Sequence, residues 1–137
     1  MNAKWIILVF LLGLVPALGA QSMIGLGKEE VRVIVERDMK DFRIDKTIVK
    51  QQFNYLKYVN ALQSKTLIIF FSDEDICTKT KLICDYSEYD SMLEELNKKY
   101  ERTGDASWVY SYDDSTYLIT LEKQEWYFVL REIKEET

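Results

Sequence analysis

The chain has 137 residues, with 18 Lys and Arg against 23 Asp and Glu, no histidine, and a formal net charge of −5. An acidic chain without a basic tract repels phosphate backbones, which argues against nucleic acid as a partner. The missing histidine excludes His-based triads and His-ligated zinc or iron, and removes the side chain best suited to proton transfer near neutrality.

The chain opens "MNAKWIILVFLLGLVPALGAQS". Lys4 supplies a short positive start, Trp5 to Val15 an uncharged apolar stretch, and "PALGA" a small-residue segment before polar Gln21 and Ser22. This is the layout of a secretory signal peptide over residues 1–20, cleaved after Ala20. The uncharged run from Trp5 to Ala20 falls short of the roughly 20 residues that span a bilayer, so an uncleaved anchor is the lesser alternative. No cysteine follows the cleavage position, which excludes a bacterial lipid anchor there. The expectation is a soluble exported protein, periplasmic or extracellular. Residues 21–137 have no proline, little glycine and no linker-like segment, and read as a single domain.

Two amphipathic helices stand out. In "GKEEVRVIVERDMKDF", Val31, Ile34, Val35, Met39 and Phe42 follow helical spacing, and Glu29 and Glu30 suit a helix N-terminus. Further on, Ser87 and Asp90 form a capping-box pattern, and Tyr89, Met92, Leu93, Leu96 and Tyr100 line one face. Gly104 stands where a stop signal belongs. After the first helix come the strand-like runs "YLKYVNA", "TLIIFFS" and "ICTKTKLIC"; after the second come "SWVYSY", "STYLITLE" and "EWYFVLREI". The predicted fold is a two-layer α+β domain in the order α-β-β-β-α-β-β-β, with about six antiparallel strands and two helices on one face. Trp126, Phe128 and Leu130 offer an apolar side for the helices.

The halves align without gaps, residues 66–83 over 116–133. Ile69 matches Ile119, Phe71 matches Leu121, Lys81 matches Arg131 and Ile83 matches Ile133. "SDED" and "EKQE" take the same place in this alignment, so a hairpin turn alone accounts for Ser72, Asp73, Glu74 and Asp75. A calcium loop needs more oxygen ligands and usually a glycine. Asp113 and Asp114 form a second acidic turn.

Cys77 and Cys84 are the only thiols. On one strand they lie about 23 Å apart at roughly 3.3 Å per residue, on opposite faces, so no bridge between them is expected. A bridge made by turning the chain at "TKTK" stays open as an alternative. No metal and no cofactor are expected. Glycine-rich phosphate loops and nucleophile elbows are absent, and with 23 acids a carboxylate pair carries almost no specificity.

"GLGKEEVRVIV", Gly25 to Val35, resembles the first helix of SmpA/BamE-like envelope domains, which are related in architecture to the β-lactamase-inhibitor protein. The Gly-x-Pro element that often follows that helix is missing. The leader ending "GAQS" and the helix around "YDSMLEELNKKY" are also similar to small exported Bacteroidetes proteins of unknown function. The first likeness implies an envelope protein working by protein contact, and neither carries over functional residues. By the internal alignment Cys77, Lys79, Lys81 and Ile83 share a face type with Tyr127, Val129, Arg131 and Ile133. Lys79, Lys81, Tyr127, Val129 and Arg131 are therefore the candidate interaction face for an acidic envelope protein or a second copy. The alternatives are a carbohydrate-binding module on the strand aromatics Trp108, Tyr110 and Tyr112, or a small carboxylate-based hydrolase.

Overall fold

The computed structural model describes residues 23–46 and 53–136. The export segment read at residues 1–20 lies outside the described residues, and among those described no helix is long and apolar enough to cross a membrane. The chain runs α1 (Lys28–Asp38), β1 (Phe42–Ile44), β2 (Tyr55–Asn60), β3 (Lys65–Phe71), β4 (Cys77–Asp85), a 3₁₀ turn (Tyr86–Glu88), α2 (Tyr89–Lys99), β5 (Glu101–Gly104), β6 (Ser107–Tyr112), β7 (Ser115–Lys123) and β8 (Tyr127–Lys134). Among the described residues, eight strands join one antiparallel sheet in the order β1-β2-β3-β4-β8-β7-β6-β5.

The two-layer α+β reading holds, but the sheet has eight strands rather than about six. The two additional strands are the edges, "FRI" and "ERTG", short and largely exposed. "FRI" alternates over only three residues, too short a run to mark a strand, and "ERTG" has no apolar side chain at all. Phe42 continues the helical spacing of α1, yet α1 ends at Asp38 and Phe42 opens β1. Gly104 closes a tight β5–β6 hairpin instead of stopping α2.

α1 starts at Gly27, whose N–H donates to Glu30 Oε1 at 3.2 Å, and Glu29 and Glu30 lie in its positive first turn. Val31 and Val35 are buried, with Ile34 and Met39 packed alongside. The expected capping box of α2 is displaced upstream. Asp85 takes the capping role, accepting from Ser87 N at 3.2 Å and Ser87 Oγ at 2.6 Å, and Ser87 lies inside the 3₁₀ turn. Met92 and Leu96 are the buried residues of α2, and Glu94 pairs with Lys98 at 3.1 Å.

Both helices cover the same side of the sheet. Leu67, Leu82, Leu130 and Leu121 stand in one cross-strand row over β3, β4, β8 and β7. Val31 and Val35 of α1 pack over Leu56, Tyr58, Leu67, Ile69 and Phe71. Met92 and Leu96 of α2 pack over Trp108, Ile119, Leu121, Phe128 and Leu130. Leu82 touches both clusters and joins them. Trp126, expected beside Phe128 and Leu130, stands in the β7–β8 turn and is 77% exposed.

The internal alignment has a structural counterpart. Its matched residues Lys81 and Arg131 are cross-strand partners on β4 and β8, so the axis relating the halves passes between them. In the outer strands the match slips by two residues: Leu121, beside Leu130, stands where Ile69 stands beside Thr80. An even slip keeps every side chain on its face.

One bulge breaks the alternation. Phe70 pairs with Lys79 but Phe71 pairs with Cys77, which leaves Thr78 as the extra residue. Cys77 is thereby turned to the helix side, onto the same face as Cys84 rather than the opposite one, and both are buried and unbridged. The two acidic turns are explained by backbone geometry. Ser72 N donates to Ile76 O at 2.8 Å, Asp75 N donates to Ser72 O at 2.9 Å, and Asp75 takes a φ of 61°. Asp113 and Asp114 both have positive φ in the two-residue β6–β7 loop, the conformation a twisted hairpin prefers and Asp tolerates.

Candidate functional site

The side of the sheet facing away from both helices brings most of the candidate residues together. Its central row runs Lys57, Ile68, Lys81, Arg131, Thr120 over β2, β3, β4, β8 and β7. The next row runs Tyr55, Phe70, Lys79, Ile133, Leu118. A third carries Thr66, Ile83, Val129 and Glu122. Lys79, Lys81 and Arg131 form a compact basic group at the middle of the sheet. Arg131 Nη1 is 3.1 Å from Glu122 Oε2. Val129 shares the face but is buried among its neighbours, and Tyr127 stands at the hairpin end of β8 opposite Asp85, 40% exposed. Cys77 drops out of the face through the bulge.

A cleft of about 450 Å³ opens on this face, lined by Phe53, Tyr55, Lys57, Ile68, Phe70, Lys79 and Lys81. The Lys79 and Lys81 ammonium groups lie 4.7 Å and 5.6 Å from the centre of the Phe70 ring, and Tyr55 packs against that ring at 6.4 Å. Burial, then the neighbouring Arg131 and Lys79 charges, hold the Lys81 ammonium below the ordinary lysine value. Lys57 is turned to Asp45 at 3.3 Å. Sequence reasoning found the two lysines but not the aromatic wall. Its signal lies in "KTLIIFF", where apolar residues occupy both parities, so one strand presents Leu67, Ile69 and Phe71 to the helices and Ile68 and Phe70 to the other side.

Of the strand aromatics suggested for sugar binding, Trp108 and Tyr110 pack on the helix side, while Tyr112, at the hairpin end of β6, is 71% exposed. Trp108 is fully buried under α2, with Nε1 donating to Asn97 Oδ1 at 2.9 Å. Tyr110 stacks between Tyr100 and Tyr117, with centroids at 5.0 Å and 4.9 Å, and donates its hydroxyl to Glu132. Glu132, on the helix side, is only 5% exposed. Loss of hydration pushes its carboxyl up to about 7, against the opposing pull of the Tyr110 hydrogen bond. Among the described residues no group of three or more Cys, Asp or Glu is placed to hold a metal ion.

No family model matches the chain, and no curated protein or solved structure shows significant similarity to it.

Proposed function

We propose that this is a non-catalytic exported protein that works by protein contact through the sheet face opposite its helices. The observation that carries the reading is the basic and aromatic group at the centre of that face, Lys79, Lys81 and Arg131 beside Tyr55 and Phe70, on a chain of net charge −5. Isolated cations on an acidic protein steer an acidic partner to one place and discourage other docking poses. Aromatic and arginine side chains are the residue types that dominate contact energies. The leader-like N-terminus supports export, and the likeness of Gly25–Val35 to envelope domains that act by contact points the same way.

The test is crosslinking in intact cells that export the protein, comparing wild type with a Tyr127→Ala, Lys81→Glu double variant. Wild type is expected to give a discrete crosslinked species that the double variant loses by about tenfold or more. Equal yields from both proteins would rule the face out as the contact surface. A second copy as the partner would show as a mass that doubles with concentration in sedimentation equilibrium.

A further inference from the structure

The cleft at Phe70 is suited to something smaller than a protein surface. We propose that it binds an amphipathic anion: one acidic head group on an apolar body of medium-chain length, the head between Lys79 and Lys81 and the body along Phe53, Tyr55, Ile68 and Phe70. Its volume of about 450 Å³ falls within the range of small-molecule sites, which pair largely apolar walls with a few placed polar groups. The charge complementarity is local and specific. Among the described residues no carboxylate lies within ion-pair distance of Lys79 or Lys81, and Glu122 is the weakest of the charges acting on Lys81, whereas Lys57 is engaged by Asp45 and Arg131 by Glu122. Both free ammonium groups sit over one ring, 4.7 Å and 5.6 Å from its centre, with Arg131 beside them as a third cation. Such a like-charge group is relieved by one anion, and partial desolvation strengthens that contact. The apolar wall explains why the ligand is more than an inorganic anion. Phe53, at the rim, is 52% exposed, and an alkyl or aryl body would remove its ring from water.

The proposal does not depend on the protein-contact reading, and the two can fail separately. Isothermal titration with dodecanoate below its micelle concentration supplies the free amphiphile, and vesicles of phosphatidylglycerol supply the same chemistry as a lipid surface. Dodecyl maltoside keeps the tail without the charge, and inorganic phosphate keeps the charge without the tail. Dodecanoate is expected to bind, and the two controls to bind at least about tenfold more weakly. Lys79→Gln with Lys81→Gln, and separately Phe70→Ala, should each weaken dodecanoate by about tenfold with the circular dichroism spectrum unchanged. The paired lysine variant guards against misfolding, since it alters only the open face. Binding to vesicles but not to free dodecanoate, with the same dependence on the three residues, assigns the ligand to a membrane lipid. Absence of binding to both, equal binding of dodecyl maltoside, or insensitivity to both variants overturns the proposal.

Discussion

Glu132 stands between Thr80 on β4 and Ile119 on β7, on the side of the sheet that both helices cover. A carboxyl there loses its hydration, and one hydroxyl, from Tyr110, replaces only part of it. The surrounding groups are acidic or neutral: Tyr110, Tyr100 and the Cys77 thiol all feel the Glu132 charge as unfavourable. The folded state therefore holds the proton to about pH 7, whereas the ordinary value is 4.5. Below pH 4.5 both states are protonated and the residue carries no penalty. Between 4.5 and 7 the unfolded chain releases its proton first, so stability falls as pH rises, and the loss levels off above 7. The full penalty is on the order of 3 kcal/mol. Glu132→Gln keeps an acceptor for Tyr110 without the charge. Urea unfolding from pH 4.5 to 8.5 should show the variant gaining on wild type through this window and more stable above pH 7. A difference between the two proteins that does not change with pH would contradict the buried, proton-holding carboxyl.

At the scale of elements, the Thr78 bulge decides what the thiols can do. Strict alternation from Cys84 would put Cys77 on the open face with Lys79 and Lys81; the extra residue turns it into the core under α1. Burial pushes both thiols up to about 12, so neither is a thiolate at ordinary pH. Native protein at pH 8 should resist Ellman's reagent, and denaturation in guanidinium should release both thiols at once. Rapid native labelling of Cys77, or recovery of a linked 77–84 peptide under non-reducing conditions, would show the bulge misplaced. The bulge also marks the limit of what a pattern reveals. α1, α2 and the six inner strands were legible because each buries one face, and burial leaves a period of 3.6 or 2 in the sequence. β1 and β5 bury little and leave no such period. Thr78 is invisible for a different reason: a bulge is set by the partner strand, and nothing in "ICTKTKLIC" itself distinguishes it from a regular strand. The candidate site was legible in the same measure. Lys79, Lys81 and Arg131 lie far from the bulge's effect or beyond it, and alternation placed them correctly. Phe70 and Ile68 were hidden because both faces of β3 are apolar, so composition could not say which residues the helices leave uncovered.

Over the whole molecule, the two halves have separate cores but no separate sheet. α1 with β2–β4 surrounds one cluster, and α2 with β6–β8 and Cys84 of β4 the other. They meet along β4 and β8, which pair over seven residues from Lys79–Ile133 to Asp85–Tyr127, and at Leu82, which packs against both clusters. Separating the halves would strip β4 and β8 of a partner each and expose Leu82, Leu130 and Phe128, so neither half gains by surviving alone. The expectation is one cooperative transition. Trp108, fully buried in the α2 cluster, reports on the second half alone, whereas far-ultraviolet circular dichroism reports on both. In the chain without residues 1–20, and so without Trp5, a Trp126→Phe variant isolates the Trp108 fluorescence. In urea its midpoint should coincide with that of the dichroism signal, the standard test of two-state unfolding. Leu82→Ala should move both midpoints together, destabilising by about 2 kcal/mol, the low end of the range for buried leucines, because Leu82 is only half-buried. A fluorescence transition displaced from the dichroism transition, or one that Leu82→Ala separates into two, would show that the β4–β8 seam is weaker than the cores it joins. That outcome would also change the meaning of the basic group at Lys81 and Arg131. Those residues lie on the seam itself, one from each half, whereas every residue lining the cleft belongs to the first half, so dodecanoate held between Lys79 and Lys81 would then stabilise the α1 half alone and widen the gap between the two transitions.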